Sequence, residues 1–244
     1  RCDRPASPGV VSATRGNHGQ SIALAAARVG IPATIVVPLG NSVEKNAAMR
    51  AFGAKLVEAG HDFDAARDVA VRLAAERGLD MVPSFHRDLV SGVATYAYEL
   101  FRAAPPIDTV YVPIGLGSGI CGAVAAREAL GRTTEIVGVC STEAPAYARS
   151  FEYKECVERP AKTQIADGLA CRVPEKSALE TIWQHVARIV EVTGVEGTTV
   201  QMQDVFRFVR TGTAPNGRVI GHFEACGHVP SFYDELRASG GSIA

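Results

Sequence analysis

The chain has 244 residues, of which 47% are hydrophobic, and a formal net charge of −1. That length and apolar content are enough for a sizeable core in one or two lobes. The balanced, interspersed charge argues against nucleic acid or an anionic membrane surface as partner. No apolar run approaches the ~20 residues that span a bilayer, and Arg1-Cys2-Asp3-Arg4-Pro5 does not lead into a signal-peptide core. Cys2, Cys121, Cys140, Cys156, Cys171 and Cys226 are scattered, with no C-x-x-C pair. That usage suits reduced, mostly buried thiols in a cytoplasmic protein.

The chain lacks an initiating Met and opens in a loop-like run that feeds a first strand, Gly9–Ala13, so it reads as beginning in mid-domain. A helix over Asn17–Val29 follows, then a strand Ala33–Val37, a helix Val43–Ala51 and a strand Lys55–Glu58. Phe63–Arg77 carries the helical period, with Ala66, Val69, Ala70, Leu73 and Ala74 recurring three and four apart. A strand over Met81–Ser84 leads to Pro83-Ser84-Phe85-His86, read as the crossing into a second lobe. Beyond it come a helix Leu89–Ala103, a strand Thr109–Ile114, a helix Gly119–Ala129, a strand Glu135–Cys140, a helix Lys176–Val186 and a strand Arg188–Val192. Runs such as "TIVV" and "VYVP" are continuously apolar, as parallel strands covered on both faces must be. Alternating strand and helix predicts an open α/β fold with two mainly parallel sheets and helices on both faces. The expected lobes are residues 1–85 and 86–198, followed by an atypical segment 199–244, because the rhythm fails beyond about Val195 and no structure is assigned there.

In open α/β sheets, ligands bind beyond the carboxyl ends of the strands. Two loops at such positions are richer than a connection requires. Gly115-Leu116-Gly117-Ser118-Gly119 follows a buried strand and opens a helix. Its glycines let N–H groups approach an anion, the helix start adds about half a positive charge, and Ser118 offers a hydroxyl. A phosphate site is the functional reading, and a glycine-rich turn without ligand is the bland one. Gly117, Gly119 and Gly122 also satisfy G-x-G-x-x-G, with Glu143 near the place of a ribose-binding acid, so a nicotinamide dinucleotide is a second reading. The other loop is Thr14-Arg15-Gly16-Asn17-His18-Gly19-Gln20. N-capping by Asn17 explains one polar residue there but not five. His18 reads as a structural histidine pinning the loop rather than a proton-transfer group.

Taken together, these segments resemble the fold type II pyridoxal-phosphate enzymes, in the threonine/serine dehydratase branch, over roughly residues 9 to 195. The S-x-G-N-H-x-Q loop of that family is matched at Thr14, Gly16, Asn17, His18 and Gln20. Its glycine-rich phosphate cradle is matched at Gly115 to Gly119, and its T-x-A-D-G-L segment, with one extra residue, at Thr163 to Arg172. Asp167-Gly168 taken alone could equally be a turn. The resemblance implies pyridoxal 5′-phosphate as cofactor, bound by Asn17, Gly115, Leu116, Gly117, Ser118 and Gly119. It implies a small amino-acid substrate whose carboxylate meets Thr14, Gly16, His18 and Gly19, and a homo-oligomer when the protein is intact. The expected reaction removes water and ammonia from a threonine- or serine-like β-hydroxy amino acid, leaving a 2-oxo acid. A serine racemase or hydroxyaspartate dehydratase shares these loops, and a non-catalytic ligand-binding homologue is a further alternative.

The match fails at the Schiff-base lysine of the family, usually in S-x-K-x-R-G-A, so no catalytic residue is identified. The five lysines, Lys45, Lys55, Lys154, Lys162 and Lys176, lie outside such a motif, and sixteen residues precede Asn17. All five read as solvated positions, and truncation is the simplest account. The carboxylate metal ligands of some members are also unmatched at Thr142 and Ala148. Ser239-Gly240-Gly241-Ser242 resembles the terminal glycine motif of the family, although the preceding forty residues do not fit. His222, Cys226 and His228 could suggest zinc, but three ligands in an atypical tail read as incidental, so no metal is expected.

Overall fold

The computed structural model describes residues 8–162 and 166–192, together with the backbone of two strands at 206–213 and 219–225. The chain divides into two compact units, Arg1–His86 and Arg87–Ala244.

The first unit holds β1 (Val10–Ala13), α1 (Asn17–Arg28), β2 (Ala33–Val37), α2 (Val43–Ala51), β3 (Lys55–Glu58), α3 (Phe63–Arg77) and β4 (Asp80–Met81). Its strands form one sheet in the order β3-β2-β1-β4, every pair parallel. Strand β2 shows why its apolar run is unbroken. Ile35 and Val37 pack with Ala23, Ala26 and Met49 on the α1/α2 face, whereas Val36 packs with Ala66 and Ala70 of α3. A strand buried on both faces leaves little room for polar residues, and in β2 only Thr34, near its start, carries a polar group.

Strand β4 is shorter than the expected Met81–Ser84. Pro83 has no N–H to give to a ladder. Val82 N–H before it still donates to the Val11 carbonyl, and two side chains add ties to β1: Ser12 Oγ donates to the Val82 carbonyl at 2.8 Å, and Ser84 Oγ donates to the Ala13 carbonyl at 2.8 Å.

The second unit holds α4 (Arg87–Ala103), β5 (Thr109–Pro113), α5 (Ser118–Ala129), β6 (Glu135–Ser141), α6 (Ala146–Tyr153), a short 3₁₀ helix Asp167–Leu169, α7 (Lys176–His185) and β7 (Arg188–Val192). Strands β5-β6-β7 are parallel, with Ile114 N–H extending the β5 pairing to Val139. Helix α5 buries Ile120, Cys121, Gly122, Ala123, Val124 and Ala126. Gly122 lets α4 come close, since a Cβ there would lie 3.0 Å from Ala94 N. Close packing of helix on helix is therefore the work of the third glycine of the G-x-G-x-x-G pattern.

Helix α6 is not foreseen by the sequence reading. It has eight residues, follows Pro145 and lacks a capping side chain. Ser150, a polar residue, is fully buried in it, donating to the Ala146 carbonyl at 2.7 Å while Trp183 Nε1 donates to its own carbonyl. Strands β8 (Phe206–Thr213) and β9 (Val219–Ala225) pair antiparallel where no element is expected. His222 falls in β9, whereas Cys226, His228, Thr163 and Ser239–Ser242 lie outside the described residues. Among the described residues, no helix is long and apolar enough to cross a membrane.

Candidate active site

The polar loop of the first unit is built on the exit of β1. Thr14 N–H still pairs with the Val36 carbonyl at 3.0 Å, and the chain then turns into α1 through Gly16. The N-cap position belongs to Gly16, which has no side chain to offer. Thr14 performs the capping instead: its Oγ1, 3% exposed as a residue, accepts from Gly16 N–H at 2.9 Å and Gly19 N–H at 3.2 Å. Thr14 thus satisfies one of the donors that a helix start leaves open. Asn17, considered above as a possible cap, is instead the first helical residue, and its side chain is exposed. With Gly16 and Gly19 N–H engaged, the expected nest narrows to the N–H groups of Asn17 and His18, which have no acceptor among the described residues.

His18 is half-buried and lies with Nε2 2.9 Å from Ser12 Oγ. Because the one Ser12 hydroxyl hydrogen goes to Val82, the serine oxygen accepts from His18, which assigns the neutral tautomer protonated at Nε2. Burial lowers the pKa of His18 to about 4. A neutral imidazole pinning the loop is what these contacts describe.

Three further features of this loop come from packing. A Cβ on Gly19 would overlap Thr14 Cγ2 and stand 2.6 Å from Met49 Sδ, so glycine is required there by the α1/α2 core. Lys45 is half-buried rather than solvated, its Cδ 3.1 Å and its Nζ 3.7 Å from where a Gly16 Cβ would be. Long aliphatic stems cover apolar surface in this way. Arg15 was not singled out from sequence, yet its Nε is shielded from solvent with no hydrogen-bond partner among the described residues. Asn17, Gln20, Ser21, Leu24 and Phe52 line a shallow, open depression beside the loop.

The glycine loop of the second unit leaves β5 at Ile114. Residues 115–117 are a bend, and α5 begins at Ser118 behind Gly117, whose φ of +100° suits glycine. The first chain-internal bond at this helix start is Cys121 N–H to Gly117 O, so the N–H groups of residues 115 through 120 have no acceptor among the described residues. The reverse side of the loop is filled. A Cβ on Gly115 would lie 2.5 Å from Gly168 O, and one on Gly117 would lie 2.6 Å from Ala178 Cβ. At Gly119 the nearest atom would be Val112 Cγ1 at 4.0 Å. Orphan backbone donors at a glycine-rich helix start suit an anionic group such as the phosphate of a bound cofactor.

Tyr147, also missed by the sequence reading, stands behind this loop. It is 1% exposed, and its hydroxyl donates to the Leu116 carbonyl at 2.8 Å while accepting from Glu175 N–H at 3.0 Å. No motif signals it; helix α6 has to be known first. Glu143, the candidate ribose ligand, follows β6 in a turn where its N–H donates to Ser141 Oγ and its carbonyl accepts from Lys162 N–H.

Residues 3–204 match the model of the family described as pyridoxal-phosphate dependent enzyme. The mitochondrial threonine dehydratase of Saccharomyces cerevisiae is 32% identical over 219 residues, covering 88% of this chain and 38% of that protein. An L-threonine ammonia-lyase of Thermotoga maritima is 32% identical over 189 residues, covering 77% and 47%. The chain therefore spans roughly half the length of such curated relatives or less. Among solved structures, processed threonine deaminase isoform 2 of Solanum lycopersicum superposes with a TM-score of 0.70 at 28% identity, covering 78% of this chain and 57% of that one. Maize serine racemase gives 0.71 at 28% identity, covering 77% and 57%. These matches set aside the nicotinamide reading of Gly117, Gly119, Gly122 and Glu143. With a parallel α/β architecture and glycine-lined donors suited to a phosphate, the chain belongs to the pyridoxal-phosphate dependent enzyme family, whose structural neighbours are of fold type II.

Proposed function

We propose that this chain carries the cofactor- and substrate-binding loops of an ammonia-lyase acting on threonine- or serine-like β-hydroxy amino acids, which releases ammonia and a 2-oxo acid. The observation that carries the reading is the run of N–H groups at residues 115–120 without an acceptor, on a loop whose back is packed. Those of Gly115, Leu116, Gly117, Ser118 and Gly119 hold the phosphate of pyridoxal phosphate, helped by the start of α5. Asn17, exposed and with no side-chain partner among the described residues, donates its amide to the ring oxygen. The N–H groups of Asn17 and His18, with the Arg15 guanidinium, receive the substrate carboxylate. Thr14, Gly16 and Gly19 shape that loop through their mutual hydrogen bonds and packing, and His18 pins it to Ser12. When bound, the cofactor acts as an electron sink for charge developing at the substrate α-carbon.

On this reading, residues 1–85 serve the substrate and the ring, residues 86–198 serve the phosphate, and 199–244 is an additional segment. Lys55, Lys154, Lys162 and Lys176 are exposed and Lys45 lies along Gly16, so covalent attachment and proton transfer are assigned to none of them. A cytoplasmic setting belongs to the same reading, supported by the thiols of Cys121, Cys140 and Cys156, which form no disulfide among the described residues. Self-association is included as well, supported by exposed Val29, Leu39 and Val43 on the first unit.

The whole natural protein containing this chain, given L-threonine or L-serine, should release ammonia and the 2-oxo acid in equal amounts and only with pyridoxal phosphate. Turnover without the cofactor, or cofactor binding with neither amino acid consumed, would refute the assignment. The likeness to maize serine racemase favours one competing activity. Formation of D-serine without 2-oxo acid would establish that activity instead.

A further inference from the structure

We propose that Tyr147 is a positioning residue of the phosphate loop: its hydroxyl holds the Leu116 carbonyl on the packed side and so keeps the neighbouring N–H groups available to a phosphate. The inference rests on the phosphate assignment made above for residues 115–119.

A loop can present a row of N–H groups to an anion only if its carbonyls are held elsewhere. A carbonyl that swings toward the phosphate both removes a donor and adds repulsion. In this loop Leu116 O is fixed by Tyr147 Oη at 2.8 Å. The roles are unambiguous, because a carbonyl only accepts and the Glu175 N–H, 3.0 Å from the same oxygen, only donates. One phenol oxygen thereby ties together the loop before α5, helix α6 and the residue that caps α7.

Packing makes the arrangement rigid. Tyr147 is among the largest fully buried side chains. A Cβ at Gly117 would come 3.1 Å from its hydroxyl and 2.6 Å from Ala178 Cβ, so the phenol lies directly behind the glycine with φ of +100°. Burial also raises the Tyr147 pKa well above its usual value, so the phenol keeps the hydrogen it donates. A phenylalanine would fill the same volume and lose only the bond to Leu116 and the acceptor for Glu175.

The test uses the full chain with pyridoxine 5′-phosphate and pyridoxine, which lack the aldehyde and so cannot react with any lysine. Calorimetry gives the ratio of their affinities for the wild type, Tyr147→Phe, and Tyr153→Phe as a control at an exposed tyrosine. Tyr147→Phe should weaken the phosphorylated ligand roughly tenfold, the size expected when a buried carbonyl loses its donor. Pyridoxine should change by less than about twofold, so the ratio falls, and Tyr153→Phe should leave it unaltered. The ³¹P resonance of bound ligand should shift in Tyr147→Phe, reporting altered donors at the phosphate. An equal loss for both ligands would mean general loosening and would overturn the proposal, as would an unchanged ratio.

If Tyr147→Phe does not fold, Glu175→Pro reads the same ratio. It removes the N–H that Tyr147 accepts, at a position whose φ of −74° proline tolerates. A selective loss supports the role of the phenol, and an equal loss overturns it. A wild type with no preference for the phosphorylated ligand refutes the phosphate reading itself, and the role of Tyr147 falls with it. A wild-type preference retained in the variants removes Tyr147 alone.

Discussion

Acidifying the protein should loosen the loop that carries Asn17, through His18. In the fold this imidazole is neutral with a pKa of about 4, against 6.5 for an unhindered histidine. The unfolded chain therefore binds the proton more tightly than the folded one. Stability is complete above about pH 6.5, falls as pH drops toward 4, and levels off below. At ~1.4 kcal/mol per unit, the full loss is about 3 kcal/mol, of which about 2 kcal/mol is reached by pH 5. His18→Gln keeps an amide hydrogen to offer Ser12 and cannot titrate, so it isolates the effect from carboxylates common to both proteins. Urea unfolding followed by far-ultraviolet circular dichroism between pH 7.5 and 5 should show the wild type losing about 2 kcal/mol more than His18→Gln. At pH 7.5 the variant should be the less stable by roughly 1 kcal/mol, because its more flexible chain loses more rotamer freedom in making the bond. Stability curves running parallel down to pH 5 would refute the assignment of a buried, neutral imidazole.

Thr14→Val should cost about 1–3 kcal/mol in thermal unfolding because Gly16 N–H loses its acceptor and Gly19 N–H keeps only the Gly16 carbonyl, while Thr14→Ser should recover most of it. Asn17→Ala should leave the melting temperature nearly unchanged, since that side chain is exposed, yet weaken pyridoxine 5′-phosphate binding measurably in calorimetry. Gly117→Ala should abolish phosphate-dependent binding and destabilise the fold by more than about 1 kcal/mol, given its φ of +100° and the nearby Ala178. Gly119→Ala, with open space at its Cβ and a helical backbone, should fold as well as the wild type or better by up to ~1 kcal/mol, as read by melting.

Much of the architecture was written locally. The apolar run of β2 follows from burial on two faces and the three-four spacing of Phe63–Arg77 from burial on one stripe, so periodicity alone located them, whereas β5, equally apolar, lies at a sheet edge and buries only Val112. The two polar loops were equally visible, because glycine and amide side chains crowded at strand ends have little other use. Which atoms of those loops remain available was decided by the tertiary structure. Thr14 reads as a ligand from sequence, but the turn brings Gly16 and Gly19 N–H onto its oxygen. Lys45 reads as solvated, but the packing of α2 beside α1 lays its stem on Gly16. Tyr147 carries no motif, because its partners Leu116 and Glu175 lie 31 and 28 residues away along the chain. Periodicity reports whether a residue is buried; a hydrogen bond between distant segments depends on where the completed sheet and its helices bring their atoms together.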